Sequence, residues 1–257
     1  MSDWLSYRPS DFLMFAPRTY WRLFELHNSA WWPAQPLAVL AGLCWMVWLM
    51  GVPARRSASQ LALRAGAAGL SAAWLFVGVA FVLDRYAVVN WAASGFAFGF
   101  VLQALGLTAL VTRSDLRTVA PGPRRHIGLA LCLWALLGHP LLALAFGRPW
   151  TQAEVFGLAP DPTAIATLGL LLCAAAQRRV TAWLLRVLWT LTVAWCAVSS
   201  ATLWTLGSAQ GWVLMGLTLV SLVAAWRWPQ LAAKSWHSPA SATGAGAYPS
   251  ANPKEPL

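Results

Sequence analysis

Charge is what this chain of 257 residues has least of. Asp, Glu, Lys and Arg together make up 10% of it, where soluble domains carry about 25%. With 59% hydrophobic residues, there are too few polar side chains to cover a globule of this size. A soluble enzyme, an extracellular disulfide scaffold and a disordered chain are thereby excluded. Lysine is confined to Lys234 and Lys254, so no lysine is available inside an apolar run for a retinal Schiff base. The four cysteines, Cys44, Cys132, Cys173 and Cys196, sit in separate apolar runs without a CxxC. They read as small buried hydrophobes. Walker, HExxH and GxSxG motifs are missing, and with them the reactions they carry. No apolar run holds an internal Asp or Glu, which counts against proton-driven transport. His139 is the one histidine well inside such a run, so a bis-histidine haem is not expected either. No cofactor and no metal site is therefore expected.

What is present is hydrophobic length. A bilayer core of about 30 Å needs roughly 20 apolar residues per helix. Seven stretches meet this, at about 32–52, 60–83, 91–111, 127–147, 163–177, 180–204 and 210–228. The fold class is all-α: a polytopic membrane bundle of about seven transmembrane helices, with an N-terminal amphipathic interfacial helix. The net charge of +10 does not point to nucleic acid, because the basic residues are scattered between apolar runs rather than gathered on one face. Sorted by loop, they alternate. Arg55, Arg56, Arg64, Arg113, Arg117, Arg124, Arg125, Arg178 and Arg179 fall on one side. Arg85 and Arg148 face Asp84, Glu154 and Asp161 on the other. The positive-inside rule then predicts an outside N-terminus and a cytoplasmic C-terminus in a bacterial inner membrane. Many of the 18 tryptophans, such as Trp31, Trp32, Trp91, Trp150, Trp204, Trp212, Trp226 and Trp228, lie at run ends. There an indole keeps its N–H wet and its ring in lipid.

Three segments follow. Residues 231–257 form a Ser/Ala/Gly/Pro-rich tail that reads as disordered. Residues 31–230 form the bundle. Residues 1–30 form the interfacial segment. Pro17 starts a helix to about Asn28, on which Tyr20, Phe24, His27 and Trp31 share a face. Such a helix either lies on the outer membrane surface or caps the bundle. No signal-peptide core interrupts this segment, and no internal repeat marks an inverted-repeat transporter.

The opening run Tyr7-Arg8-Pro9-Ser10-Asp11-Phe12-Leu13-Met14-Phe15, followed by Arg18-Thr19-Tyr20-Trp21-Arg22-Leu23-Phe24-Glu25-Leu26 and Asn28, resembles the start of an uncharacterised family of bacterial polytopic membrane proteins, the domain of unknown function 6064 family. The resemblance spans about the first 230 residues. It implies an inner-membrane location and carries over neither an activity nor site residues.

Ionisable groups inside a membrane are costly, so each is a candidate site. His139 precedes Pro140, which removes a backbone hydrogen bond and would clash with the carbonyl of Ala135 or its neighbour. A kink there would expose carbonyls beside an imidazole. Gln103, near the middle of the third run, needs amide partners in hydrocarbon. Gly95 and Gly99 form a GxxxG spacing that permits close helix approach. Ser and Thr cluster in the sixth run but can bond back to helix carbonyls. Glu25 and His27 join the acids Asp11, Asp84, Glu154 and Asp161 on the outer face, where carboxylates and imidazoles could meet a divalent metal. Glu25 and His27 are two residues apart, however, and diverge on a helix. The candidate ligand-binding residues are thus His139, Gln103, Glu25 and His27, with no catalytic constellation.

The chain is read as an integral inner-membrane protein of unassigned biochemical function, a non-catalytic membrane bundle, with three alternatives. It is an accessory subunit that stabilises another membrane complex. Or it is a small permease for an uncharged or apolar solute. Or it is a membrane enzyme using His139, His27 and the outer acids. The partners expected are the lipid bilayer and, in the accessory reading, a membrane protein, with no nucleic acid.

Overall fold

A computed structural model describes residues 15–51 and 57–227. Residues 7–14 of the opening motif, Arg55 and Arg56, Trp228 and the tail 231–257 lie outside the described residues. The described chain is mostly helical: α1 (Pro17–Ala30), α2 (Ala34–Gly51), α3 (Ser57–Phe76), α4 (Ala93–Val111), α5 (Pro123–Leu133), α6 (His139–Ala145), α7 (Pro160–Cys173), α8 (Arg179–Thr205) and α9 (Gln210–Arg227). Two π-helical segments, Val77–Leu83 and Trp134–Gly138, extend α3 and join α5 to α6. Five helical stretches are long and apolar enough to cross a membrane: Ala34–Gly51, Ser57–Val88, Ala93–Val111, Pro123–Ala145 and Arg179–Thr205. Helix α7 is apolar but shorter.

Proline opens α1, α5 and α7 at the first helical position, where its missing N–H would have had no partner and its fixed φ suits the helix. Pro140 has a different effect. The π turn over Trp134–Gly138 precedes it, the widened winding expected where a proline removes a donor from the ladder. The interruption expected at His139–Pro140 therefore takes the form of a π bulge.

Helix α7 is the centre of the bundle. All fourteen of its residues are buried, and it packs against α3, α5, α8 and α9. A helix apolar on every side is stable only when surrounded. Its tightest neighbour is α5. A Cβ added at Gly169 would lie 2.5 Å from the Gly128 carbonyl oxygen, and one at Gly128 would lie 2.7 Å from that of Gly169. Backbone meets backbone at this pair of glycines. Gly95 and Gly99 do not serve in this way, since a Cβ at either meets nothing within 4 Å.

The fifth apolar run was expected to stay helical to Gln177. It stops at Cys173, and Ala174–Ala176 form a strand (β2) antiparallel to Leu116–Thr118 (β1), with Leu116 opposite Ala176. Nearby, Arg64 donates to the Arg113 carbonyl at 2.8 Å and Arg125 to the Leu49 carbonyl at 3.0 Å. Asp115 accepts from the Arg178 N–H and the Thr181 hydroxyl, both at 2.8 Å. Burial raises the Asp115 pKa, but these bonds to its charged form outweigh that and hold it below the ordinary value. Opposite this basic end, α1 packs on the Trp150–Gln152 turn. Its buried face is Tyr20, Trp21, Leu23, Phe24 and His27, with Phe24 stacked on Phe81 at 4.5 Å between ring centroids.

Candidate functional site

Three local devices bring polar groups together beneath α1. The first is the end of α6. Gly147 has φ +71°, which a Cβ would strain. Its N–H bonds the Leu144 carbonyl and the Arg148 N–H bonds the Ala143 carbonyl at 2.7 Å. This Schellman pattern aims Arg148 back over the bundle. The second is the stretch after the Trp150–Gln152 turn, which runs Glu154 inward. The third is the Pro160-Asp161-Pro162 start of α7, which sets Asp161 in the first turn, where the helix dipole favours an anion.

These segments converge on His139. His139, Glu154 and Asp161 are 1%, 2% and 0% exposed. One donor atom from each lies within 4.8 Å of the other two, and His139 Nε2 is 3.6 Å from Glu154 Oε2. Asp161 is oriented by α8: Trp195 Nε1 donates to Oδ1 at 3.1 Å and the Ser199 hydroxyl to Oδ2 at 2.7 Å. Glu154 Oε2 accepts from the Gln210 amide of α9. The Gln210 oxygen in turn accepts from Arg148, whose guanidinium lies 3.4 Å above the Trp21 ring. Among the described residues, neither His139 nitrogen has a hydrogen-bond partner, nor does Glu154 Oε1. Burial pushes the Arg148 pKa down while Glu154 and Tyr20 oppose it. Burial pushes the Tyr20 phenol well up, and Glu154 and Asp161 add to the shift. Both are marks of a dry, anionic pocket.

Such an arrangement suits a cation. Imidazole and carboxylates are the ligands of zinc and similar divalent ions. Tetrahedral coordination with bonds of about 2.1 Å sets neighbouring donors about 3.4 Å apart, close to the 3.6 Å between His139 and Glu154.

The other sequence candidates lie elsewhere. Gln103 is buried between α4 and α8, donating to Thr192 Oγ1 at 2.9 Å and to the Leu188 carbonyl at 3.3 Å. Thr192 precedes Ser199 by two turns, about 10 Å along α8, so Gln103 does not share the His139 group. Glu25 pairs with Arg22 and accepts from Gln152 at 3.4 Å, at the edge of α1. His27 is enclosed by Phe81, Phe76 and Trp31. Burial, helped by Arg85, pushes its pKa down to about 4. Glu154 and Asp161 stood in the sequence as outer acids, but nothing in their spacing joined them to His139. Arg148, Gln210, Trp195 and Ser199 were not linked to it at all. The sixth-run hydroxyls divide. Thr190, Thr192 and Thr202 bond back to carbonyls four residues earlier, whereas Ser199 is diverted to Asp161.

Comparison with curated proteins and with solved structures yields no match. The model of a family of unknown function, DUF6064, matches residues 18–234, which take in every element of this site, and the chain belongs to that family.

Proposed function

We propose that the chain is a seven-span bacterial inner-membrane protein that holds one divalent transition-metal ion, with zinc as the probe, at His139, Glu154 and Asp161. The N-terminus lies outside and the C-terminus in the cytoplasm. Residues 1–30 are its N-terminal segment, of which α1 caps the outer end, residues 31–230 its bundle and residues 231–257 its C-terminal segment. The role is binding, not catalysis. The observation that carries the reading is a fully buried histidine with both nitrogens unpartnered, facing two buried carboxylates. Burying such groups without a compensating charge is costly.

Two carboxylates against Arg148 leave one negative charge when His139 is neutral. A proton held among His139 and the two carboxylates would also balance it. A protonated imidazole or carboxyl, however, donates a charge-assisted bond of about 2.5–2.9 Å to its neighbour. The 3.6 Å separation and the unpartnered nitrogens fit a shared ion better. A solute path finds less support, because Gln103 is committed to the α4–α8 contact. The orientation is supported by the loops themselves: Arg64, Arg113 and Arg125 join at one end, while Glu154 and Asp161 lie at the other.

The test uses full-length protein in detergent, incubated with zinc, desalted, and assayed for zinc per chain by mass spectrometry. Wild type is expected to retain roughly one ion. His139→Gln and Asp161→Asn are expected to lose it while eluting as folded protein, and Ser199→Ala to weaken affinity roughly tenfold. Replacing His126 and His237 leaves retention unchanged. A folded wild type that holds no zinc overturns the proposal, and so do His139→Gln and Asp161→Asn variants that hold as much as wild type.

A further inference from the structure

The opposite end of the bundle carries a second, unrelated feature. A cleft of about 680 Å³ opens between α5, α7, α8 and α9, with Arg124, Arg178, Arg179 and Arg186 on its lining and no acidic residue among them. Arg179, Ala182 and Arg186 lie three and four residues apart along α8 and so share one of its faces. Arg178, Arg179 and Arg186 are exposed. Asp115, the acid facing Arg178, already accepts the Arg178 N–H and the Thr181 hydroxyl. Apart from Gln177 and Thr190, the rest of the wall is apolar, with Leu171, Leu185, Trp189 and Ala225. Guanidinium groups recognise phosphate oxygens bidentately. A free phosphate has no use for the apolar wall, but a lipid with acyl chains does.

We infer that this cleft seats an anionic phospholipid, its phosphate on Arg178, Arg179 and Arg186 and its chains along Leu185 and Trp189. The inference rests on the membrane placement proposed above and is independent of the metal centre. Basic pockets between membrane helices on the cytoplasmic side are suited to such headgroups.

The experiment is native mass spectrometry of full-length protein in detergent, with phosphatidylglycerol, phosphatidylcholine or inorganic phosphate added separately, and melting temperature as a second readout. Phosphatidylglycerol is expected to bind preferentially and to raise the melting temperature. Each arginine is worth about fivefold near an anionic surface, so the double variant Arg179→Gln/Arg186→Gln is expected to lower affinity roughly 30-fold. Arg18→Gln, an exposed change on α1, is expected to have no effect. Equal binding of phosphatidylcholine overturns the inference, as does undiminished binding by the double variant. The same stabilisation from inorganic phosphate alone also overturns it. Whether wild type resists an alkaline carbonate wash of membranes reads the membrane placement separately, so the two failures are distinguishable.

Discussion

Gly169→Ala is the sharpest probe of how this bundle is held together. The new methyl would sit 2.5 Å from the Gly128 carbonyl oxygen, 2.6 Å from Cys132 Sγ and 3.0 Å from the Cys132 nitrogen. An ordinary C···O contact is about 3.3 Å or longer, so α5 and α7 must part locally by about 0.8 Å. Two of the three obstacles are backbone and cannot rotate away. Overpacking of this kind costs about 1–3 kcal/mol, and the rigidity of the contact argues for the upper end. For a chain of this size, 3 kcal/mol corresponds to a melting temperature roughly 6–12 °C lower. The assay is thermal unfolding in detergent, followed by tryptophan fluorescence. Gly95→Ala and Gly99→Ala are the controls. Both meet open space and exchange glycine for the best helix former, so each is neutral or stabilises by up to about 1 kcal/mol. Asp161 lies eight residues before Gly169, about 12 Å along α7, so the displaced helix also loosens zinc retention. A Gly169→Ala protein as stable as wild type would refute the reasoning. So would a Gly99→Ala protein that loses as much as Gly169→Ala.

Two further outcomes follow from groups outside the metal centre. His27 lies on α1, outside the membrane spans, and its folded pKa of about 4 is below the unfolded value of about 6.5. The folded state therefore binds fewer protons, and stability is unaffected above pH 6.5 and lost as pH falls from there toward 4. The loss is about 2 kcal/mol at pH 5. Denaturant titrations at pH 7 and pH 5 should show it for wild type and not for His27→Leu; equal acid sensitivity in both would assign the effect to other groups. Gln103→Leu removes an amide whose oxygen is buried and unpartnered, while Thr192 keeps its own bond to the Leu188 carbonyl at 2.8 Å. The change is expected to fall within about 1 kcal/mol of wild type and to leave zinc binding intact. Loss of zinc from Gln103→Leu would return Gln103 to the site.

Helix positions were legible because lipid-length apolar runs bounded by Pro, Gly and Arg admit little else. The described helices overlie the seven runs, and five helical stretches are long and apolar enough to cross a membrane. Ala174–Ala176 carry no strand signal, since alanine is a helix former; they extend because Leu116–Thr118 supply a partner. The close helix crossing was sought at Gly95 and Gly99, the GxxxG spacing on the third run. It lies instead between Gly128 and Gly169, glycines on different helices that no spacing rule connects. The same limit governs the site. His139 drew attention by its neighbour Pro140, but its partners come from segments 15 and 22 residues further on. Glu25 and His27 were named as an acid and an imidazole of the outer face, and the divergence expected of residues two apart on a helix leaves one beside Arg22 and Gln152 and the other among Phe81, Phe76 and Trp31.

One signal for the site was present in the sequence. Arg148, Glu154 and Asp161 fall within fourteen residues of a chain that otherwise spends few charges, between two apolar runs. Loops that merely face water gain little from mixed charges of this kind, because exposed pairs contribute about 0–1 kcal/mol. Buried, the same residues must be satisfied in full or they destabilise the fold. Arg148 is covered by Trp21, Glu154 by Gln210, and Asp161 by Trp195 and Ser199. Four side chains from three helices thus serve three charged residues, while the His139 nitrogens and Glu154 Oε1 beside them stay open. A merely structural network would have closed on the imidazole as well, since an unpaired buried group costs about 1–3 kcal/mol. That open position, beneath a helix that only caps the bundle, is why the centre reads as a binding site rather than as packing.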